Sequence, residues 1–369
     1  MDERDCKALA VAYLTTINPD ITQEQIQREL RIGSQAEVSR LFKHAKKSGW
    51  VTWTMNWPTS ISEFEIEQIK RTVFQERNSL HQLVSSLARA RRGVPIKDIY
   101  IVPLTVDGID SEISHLIFAR IAAPYVTDLI YRSRFCGVAW GRTVTSLIAS
   151  MQTRQKKPDS IFIPVSGEPL NYKDHAASPS TSAQRLTELF GSKNNLSLRG
   201  IPARIPKDMD EDADVIRRLV HRSHDYRAIF VEDQGGKPLI RKMDMILTGI
   251  GDASTSKNDP WFQEISELER PTNLRQVTAG NIGGVWIPRD PTDKYQDSLL
   301  KSVNSRWLGM QEEHLRETAA RAQSTRAPGV VVVAIEPEKA EIVHRSIGMI
   351  NHLIVSEPLA RTLLGRCAA

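Results

Sequence analysis

The first fifty residues place apolar side chains at helical spacing in three short segments. A first helix is predicted over residues 5–14. In the second segment Ile26 and Leu30 lie four residues apart and share one face. In the third segment the shared face carries Val38, Leu41 and Ala45.

Two helix-start patterns, twelve residues apart, open the second and third segments. Thr22 and Gln25 have the spacing of a capping box, and Ser34 and Glu37 repeat that spacing. The short turn between the helices contains Gly33, which we expect to take a positive φ. Two short helices joined by a tight turn outline a helix-turn-helix, although two surface helices of an ordinary bundle give the same pattern.

The polar face of the third segment indicates DNA binding. Gln35 and Arg40 are predicted to reach base edges from an exposed helix start, and three lysines behind them to contact phosphates. The β-prone residues 50–55 look like the wing of a winged helix-turn-helix, and the module should end near residue 57. The complete set of predicted DNA-binding residues is Thr22, Gln23, Ser34, Gln35, Ser39, Arg40, Lys43, Lys46 and Lys47.

Residues 58–95 are predicted to form a helical linker between this module and the rest of the chain. Apolar residues recur there every seven positions, at Ile66, Val73, Leu80 and Leu87. The pattern fits either a coiled-coil oligomerisation helix or a long helix packed on the following domain.

From about residue 96 short β-prone apolar runs alternate with helical segments, which predicts an α/β domain with a largely parallel sheet over residues 96–369. Polar residues 171–195 and 257–273 are predicted as loops. The expected strands lie within residues 99–104, 135–140, 160–167, 225–233, 243–251, 329–336 and 351–357.

Composition narrows the function classes. The 369 residues carry a formal net charge of +5, which permits a polyanionic partner without requiring one. Three widely separated cysteines indicate neither a disulfide framework nor a zinc site. The N-terminus lacks a signal-peptide core, and no uninterrupted apolar run approaches a membrane span. We therefore expect a cytoplasmic protein with no membrane partner and no metal.

Candidate binding chemistry follows several of the predicted strands, where open α/β sheets bind their ligands. A Gly-Arg-Thr turn opens a helix, a glycine-rich strand ends in an aspartate, and Lys339 lies in the first turn of another helix. The predicted effector-binding residues are Gly141, Arg142, Thr143, Gly249, Gly251, Asp252, Asn281 and Lys339.

Motifs for nucleotide chemistry are missing from the sequence. No G-x-G-x-x-G lies at a strand–helix junction, and there is no Walker lysine motif. No Ser/His/Asp spacing implies catalysis. We therefore predict no catalytic residues and no cofactor.

The motifs "VSRLFKHAKKSGWV", "GVAWGRTVTSL", "DMILTGIGD", "AGNIGG" and "EPEKAEIVHRSIGMINHLIVSEPLARTLL" together resemble the SorC family of bacterial transcriptional regulators. This resemblance covers nearly the whole chain. It implies an effector domain like sugar-phosphate isomerases and coenzyme A transferases, binding of operator DNA as a homodimer or homotetramer, and control by a sugar or sugar phosphate. It also implies that the turn at Gly141 and Lys339 hold the effector's phosphate.

The sequence departs from the family pattern at two places. The family loop commonly reads "GDIxGR", whereas this chain reads Gly280-Asn281-Ile282-Gly283-Gly284 and has neither the aspartate nor the arginine. Glu336 stands where the family commonly has a small residue. An unphosphorylated polyol, a cationic compound or another metabolite is therefore an alternative effector. A sugar-phosphate isomerase or transferase-like enzyme, and a protein that binds DNA constitutively, are alternative functions.

Overall fold

The computed structural model describes residues 3–18, 20–48, 50–51, 84, 94–104, 111–153, 155–168, 178–194, 196–231, 236–253 and 274–368. The chain divides into two compact units between residues 82 and 83. The predicted wing beyond residue 51, the heptad positions and the loop at 257–273 lie outside the described residues. The predicted domain limits, 1–57, 58–95 and 96–369, remain expectations.

The first unit contains three helices, α1 (Glu3–Ile17), α2 (Gln23–Leu30) and α3 (Gln35–Lys47). The apolar faces expected for α2 and α3 are buried against α1. His44 on α3 also contacts α1, because its Nε2 lies 2.7 Å from Oδ1 of Asp5. The buried side chains from the two shorter helices and their turn are Ile26, Ile32, Val38, Leu41 and Ala45.

The capping box at the start of α2 is present. Thr22 accepts a hydrogen bond from the Gln25 N–H, and the Gln25 side chain accepts one from the Thr22 N–H (2.8 Å). Ser34 accepts from the Glu37 N–H at the start of α3. The expectation for Gly33 was wrong: Arg31 takes the left-handed conformation (φ 51°). The reason is that α2 ends at Arg31, whose N–H bonds back to carbonyls of the last turn.

The second unit is built around a parallel sheet with strand order β1-β8-β7-β4-β2-β3. Every neighbouring pair along this order is parallel. An antiparallel hairpin, β5–β6, continues from the end of β4. The strands are β1 (Asp98–Val102), β2 (Phe135–Val138), β3 (Ile161–Pro164), β4 (Met245–Asp252), β5 (Thr278–Ile282), β6 (Val285–Pro288), β7 (Gly329–Ala334) and β8 (His352–Ser356).

Helices connect the strands of this sheet. The longer ones are α4 (Ser111–Tyr131), α5 (Arg142–Ala149), α6 (Pro179–Phe190), α7 (Ala213–Val220), α8 (Lys294–Ser305), α9 (Glu312–Gln323), α10 (Ala340–Ser346) and α11 (Glu357–Ala368). Shorter helical segments are Lys207–Asp212, His224–Tyr226, Arg227–Val231, Leu239–Lys242, Leu274–Val277, Pro337–Lys339 and Ile347–Met349.

Two sequence predictions in this unit were wrong. The segment expected as a loop at 171–195 contains α6, which Ser178 caps by accepting from the Thr181 N–H and which Pro179 opens. The strand expected at 225–233 is helical from 224 to 231. Its short apolar run is buried at Ile229, and such runs do not distinguish a strand from a buried helix.

Helix α4 is long and apolar enough to span a membrane by length and composition alone, over Glu112–Tyr131. Most of this stretch is buried within the domain, and Phe118, Ala122 and Val126 are fully covered. Those apolar side chains belong to the core between helix and sheet, so burial accounts for the hydropathy.

A buried polar cluster joins β1, α4 and β8. The Tyr125 hydroxyl donates to Oδ2 of Asp98 (2.7 Å) and lies 2.9 Å from Nδ1 of His352. Burial lowers the pKa of His352 to about 4 from its ordinary 6.5, although the Asp98 carboxylate acts in the opposite direction. The folded protein therefore holds this histidine neutral.

Acidification is expected to destabilise the second unit through His352. Between its folded and ordinary pKa the unfolded chain binds more protons, so stability falls as the pH drops from about 6.5 towards about 4. We expect a loss of about 2 kcal/mol between about pH 7 and about pH 5, measured by urea unfolding. His352→Gln should flatten this dependence, whereas His224→Gln, at an exposed histidine, should leave it in place. An equally steep dependence in both variants would contradict the assignment.

Candidate effector site and DNA-binding helix

The face of α3 predicted to contact DNA is exposed to solvent. Gln35, Arg40, Lys43, Lys46 and Lys47 are all exposed, and Ser39 is half-buried beside them. The helix thus presents an uninterrupted polar and basic face.

Several of the predicted DNA-binding residues make contacts within their own helices. Thr22 and Ser34 are occupied as helix caps, so their hydroxyls fix the starts of α2 and α3. Gln23 is exposed in the first turn of α2. Arg40 Nε donates to the Ala36 carbonyl (3.3 Å), and Lys46 Nζ lies 4.6 Å from the centre of the Phe42 ring. These weak contacts leave both cations able to extend towards a ligand.

The predicted effector residues follow three neighbouring strands. β4 lies between β2 and β7, and all three are parallel, so their carboxyl ends meet at one edge of the sheet. From β2 the chain continues outward to β3, whereas from β4 it continues to β7 on the other side. Where the connections from two adjacent parallel strands lead to opposite sides in this way, a crevice opens at the carboxyl ends of the strands, and open α/β sheets bind ligands there.

The turn after β2 carries the first group of predicted effector residues. Gly141 has φ 132°, a conformation that favours glycine, and in the part of the chain that the structure describes no heavy atom lies within 4 Å of where its Cβ would be. Among the described residues no side chain caps α5, whose first residue is Arg142. Thr143 in the first turn is 6% exposed. The turn therefore offers oriented N–H groups beside open space, an arrangement that suits an anion or a hydroxyl oxygen.

The end of β4 carries the second group of predicted effector residues. Gly249 packs against α5, since a Cβ there would lie 3.8 Å from Cγ2 of Val144, at ordinary contact distance. Asp252 is 7% exposed and pairs with Gly280 in the antiparallel ladder. Gly251 faces Asn281, and a Cβ on Gly251 would lie 2.5 Å from Nδ2 of that side chain. The Asn281 amide thus covers the backbone of β4.

Asn281 also stabilises the β5–β6 hairpin. Its Oδ1 accepts a hydrogen bond from the Gly284 N–H (3.2 Å). The two turn residues Gly283 and Gly284 have φ values of 59° and 95°, as a tight two-residue hairpin turn requires. A Cβ on Gly284 would lie 2.0 Å from the Trp307 ring. Trp307 therefore occupies the space that a side chain at position 284 would need.

The segment after β7 carries the last predicted effector residue, Lys339, which lies in an ion cluster with Glu336 and His115. Lys339 Nζ lies 2.7 Å from Oε2 of Glu336, and Nε2 of His115 on α4 lies 3.5 Å from Oε1. The side chains of Lys339 and Glu336 are 15% and 28% exposed. Burial favours a raised pKa for Glu336, but Lys339 and His115 lower it to about 2. The carboxylate is therefore ionised at neutral pH.

The structure thus brings the predicted effector residues to one edge of the sheet: residues 141–143 open α5 after β2, Gly249, Gly251 and Asp252 end β4, Asn281 lies in β5 opposite Gly251, and Lys339 lies in the helical turn after β7. Sequence reasoning missed His115 and Trp307. His115 lies within an apolar helical run and Trp307 follows α8, so neither had a neighbouring motif that could have indicated the site.

The chain thus combines a small helical unit with a parallel α/β domain that has polar residues at its strand ends. The Sugar-bind family, a family of sugar-binding domains, matches residues 88–365. The chain belongs to this family, and its identification as a SorC-family regulator is confirmed.

Particular relatives share both sequence and fold. A sorbitol operon regulator from Klebsiella pneumoniae is 25% identical over 264 residues, which cover 71% of each chain. The crystal structure of the full-length sorbitol operon regulator SorC from Klebsiella pneumoniae has a TM-score of 0.61 at 20% identity, covering 99% of this chain and 100% of that one. A transcriptional regulator from Streptococcus pneumoniae has a TM-score of 0.59 at 16% identity and covers 80% of this chain and 99% of its own.

These similarities confirm the predicted α/β fold class and the predicted function as a ligand-responsive, DNA-binding regulator. The relatives are named as regulators of transcription and not as enzymes.

Proposed function

We propose that this chain is a cytoplasmic transcriptional regulator whose α3 binds operator DNA and whose sheet edge binds a sugar, a sugar phosphate or a related metabolite. It acts by binding, without catalysis. The single observation that carries the proposal is the convergence of the ends of β2, β4 and β7 in a chain of the Sugar-bind family.

The DNA-binding half of the proposal rests on the exposed face of α3. The His44–Asp5 contact and the buried apolar face fix α3 on α1, so the opposite face is presented as a rigid surface. A positioned helix start with Gln and Arg is suited to the major groove, and the lysines behind it to phosphates. Because one helix-turn-helix covers a short site, we propose that a homodimer or homotetramer binds a pseudo-palindrome.

The effector half rests on the polar groups at the three strand ends. Backbone N–H groups after Gly141 suit hydroxyl oxygens and anions, whereas the carboxylate of Asp252 accepts hydrogen bonds from hydroxyls and the amide of Asn281 can donate and accept them. Lys339 supplies a cation at the same edge. An effector bound there would alter operator binding through coupling between the two units.

The proposal is tested by selecting DNA from a randomised duplex pool with the full chain and then adding sugars, polyols and their phosphate esters. We expect a selected sequence with two related half-sites and a change in its affinity on addition of one of these compounds. Absence of sequence selection would refute the DNA-binding half. Turnover of a sugar phosphate by the purified protein would support the enzyme alternative.

Substitutions on α3 separate base contacts from phosphate contacts. Arg40→Ala is expected to weaken binding to the selected site by about 1–3 kcal/mol and to relax specificity at one position. Lys46→Ala is expected to weaken binding to all sequences and to lower the slope of log affinity against log salt by about one unit. Both are measured by gel-shift titration at several salt concentrations. Unchanged operator affinity for Arg40→Ala would show that another element reads the bases.

A further inference from the structure

The ion cluster after β7 bears on which compound this site accepts. Lys339 approaches Glu336 within 2.7 Å, so the cation at the end of β7 already has a counter-ion from its own chain. His115, 8% exposed, closes the other side of the same carboxylate. The three side chains form one partly buried group at the sheet edge.

We propose that Glu336 is a specificity-determining residue, which makes the site select an uncharged polyhydroxylated compound over its phosphate monoester. This inference rests on the proposed function and names the class of effector. It depends on the position of the Glu336 carboxylate beside Lys339, at the edge where β2, β4 and β7 end.

The charges of the strand ends favour an uncharged ligand. Of the predicted effector residues and Glu336, Arg142 and Lys339 carry a positive charge and Asp252 and Glu336 a negative charge, so the formal charges of these four side chains cancel. A phosphate monoester carries a charge of about −1.5 to −2 at neutral pH. Placed beside Lys339, it would be attracted by the ammonium group and repelled by the carboxylate bound to it. The lysine therefore offers a phosphate little net attraction.

Hydroxyl groups fit the same carboxylate well. Each oxygen of an ionised carboxylate accepts about two hydrogen bonds, and Lys339 and His115 each approach one oxygen of Glu336. Hydrogen bonds from neutral donors to an ionised acceptor are stronger than those between neutral groups. A polyol or free sugar can thus donate to Oε1 without displacing Lys339 from Oε2, which is buried.

The test is a thermal-shift titration of the full chain with inorganic phosphate and with pentoses, hexoses and hexitols, each paired with its phosphate monoester. We expect wild-type protein to bind one free compound at least tenfold more tightly than its ester, and inorganic phosphate to produce no stabilisation. Glu336→Gln removes the negative charge while keeping the shape of the side chain. It should lower the preference for the free compound at least tenfold and allow stabilisation by inorganic phosphate.

Glu338→Gln is the matched control, because Glu338 lies in the same helical turn, is exposed, and loses the same charge. It should keep the wild-type preference. An equal change in both variants would overturn the proposal, since net charge and not the position of Glu336 would then set the preference. Should Glu336→Gln fail to fold, the wild-type preference for the free compound over its phosphate monoester tests the proposal.

Two further outcomes separate this inference from the proposed function. Wild-type protein that binds an ester as tightly as, or more tightly than, its free compound would overturn the role of Glu336 and leave the regulator proposal standing. Absence of any stabilisation in wild-type and variant proteins, together with no effect of any compound on operator binding, would overturn both.

Discussion

Replacing Gly284 by alanine is expected to destabilise the second unit by about 3–5 kcal/mol, for two reasons that add. Gly284 has φ 95°, a conformation that side chains other than glycine rarely adopt. Its Cβ would also lie 2.0–2.6 Å from three atoms of the Trp307 indole, which is 6% exposed and packed among other buried side chains. The buried neighbours of the indole oppose its movement away from this Cβ.

Urea unfolding of the second unit measures this effect as a lowered midpoint at an unchanged slope. Gly365→Ala is the control, because Gly365 lies in α11 without a positive φ, and no atom of the described residues lies within 4 Å of its Cβ position. That substitution should be neutral or slightly stabilising, because alanine within a helix is more favourable than glycine by about 1 kcal/mol. Equal midpoints for Gly284→Ala and wild type would show that Trp307 does not fill this space.

Local signals in the sequence predicted the features that neighbouring residues determine. Thr22 and Gln25 are three residues apart, so their capping box could be identified before any tertiary contact was known. The β-prone runs gave the strands of the parallel sheet because those strands are buried on both faces. Since parallel strands end at one edge, the strand-end residues could also be expected to gather there.

Features that depend on distant residues could not be predicted in this way. The contact of His115 with Glu336 joins α4 to the end of β7, and the contact of Trp307 with Gly284 joins a loop to a hairpin. No spacing in the sequence encodes either pair. The error at Arg31 has a local cause, since the glycine two residues later appeared to be the better candidate for a left-handed conformation.

Replacing Gly249 by leucine is expected to abolish the effector response while leaving operator binding intact. A Cβ at this position meets only ordinary contacts, at 3.8 Å from Val144 Cγ2 and 4.0 Å from the Trp140 carbonyl oxygen. Gly249→Ala should therefore fold normally and respond to effector. In Gly249→Leu the larger side chain extends past the Cβ position towards the buried Val144 and the Trp140 carbonyl, so it displaces the start of α5 that we propose contacts the ligand. We expect at least a hundredfold loss of effector affinity, about 2.7 kcal/mol.

The measurement is operator affinity with and without the compound that the thermal-shift titration identifies, for wild type, Gly249→Ala and Gly249→Leu. Because α3 belongs to the other compact unit, all three proteins should bind DNA equally in the absence of the compound. Only Gly249→Leu should then fail to respond. A normal response from this variant would place the effector elsewhere than between the end of β4 and the start of α5. Loss of DNA binding by Gly249→Leu without any effector would instead show that this strand end controls the operator-binding state directly, as a site coupled to DNA binding does when the substitution mimics the bound ligand.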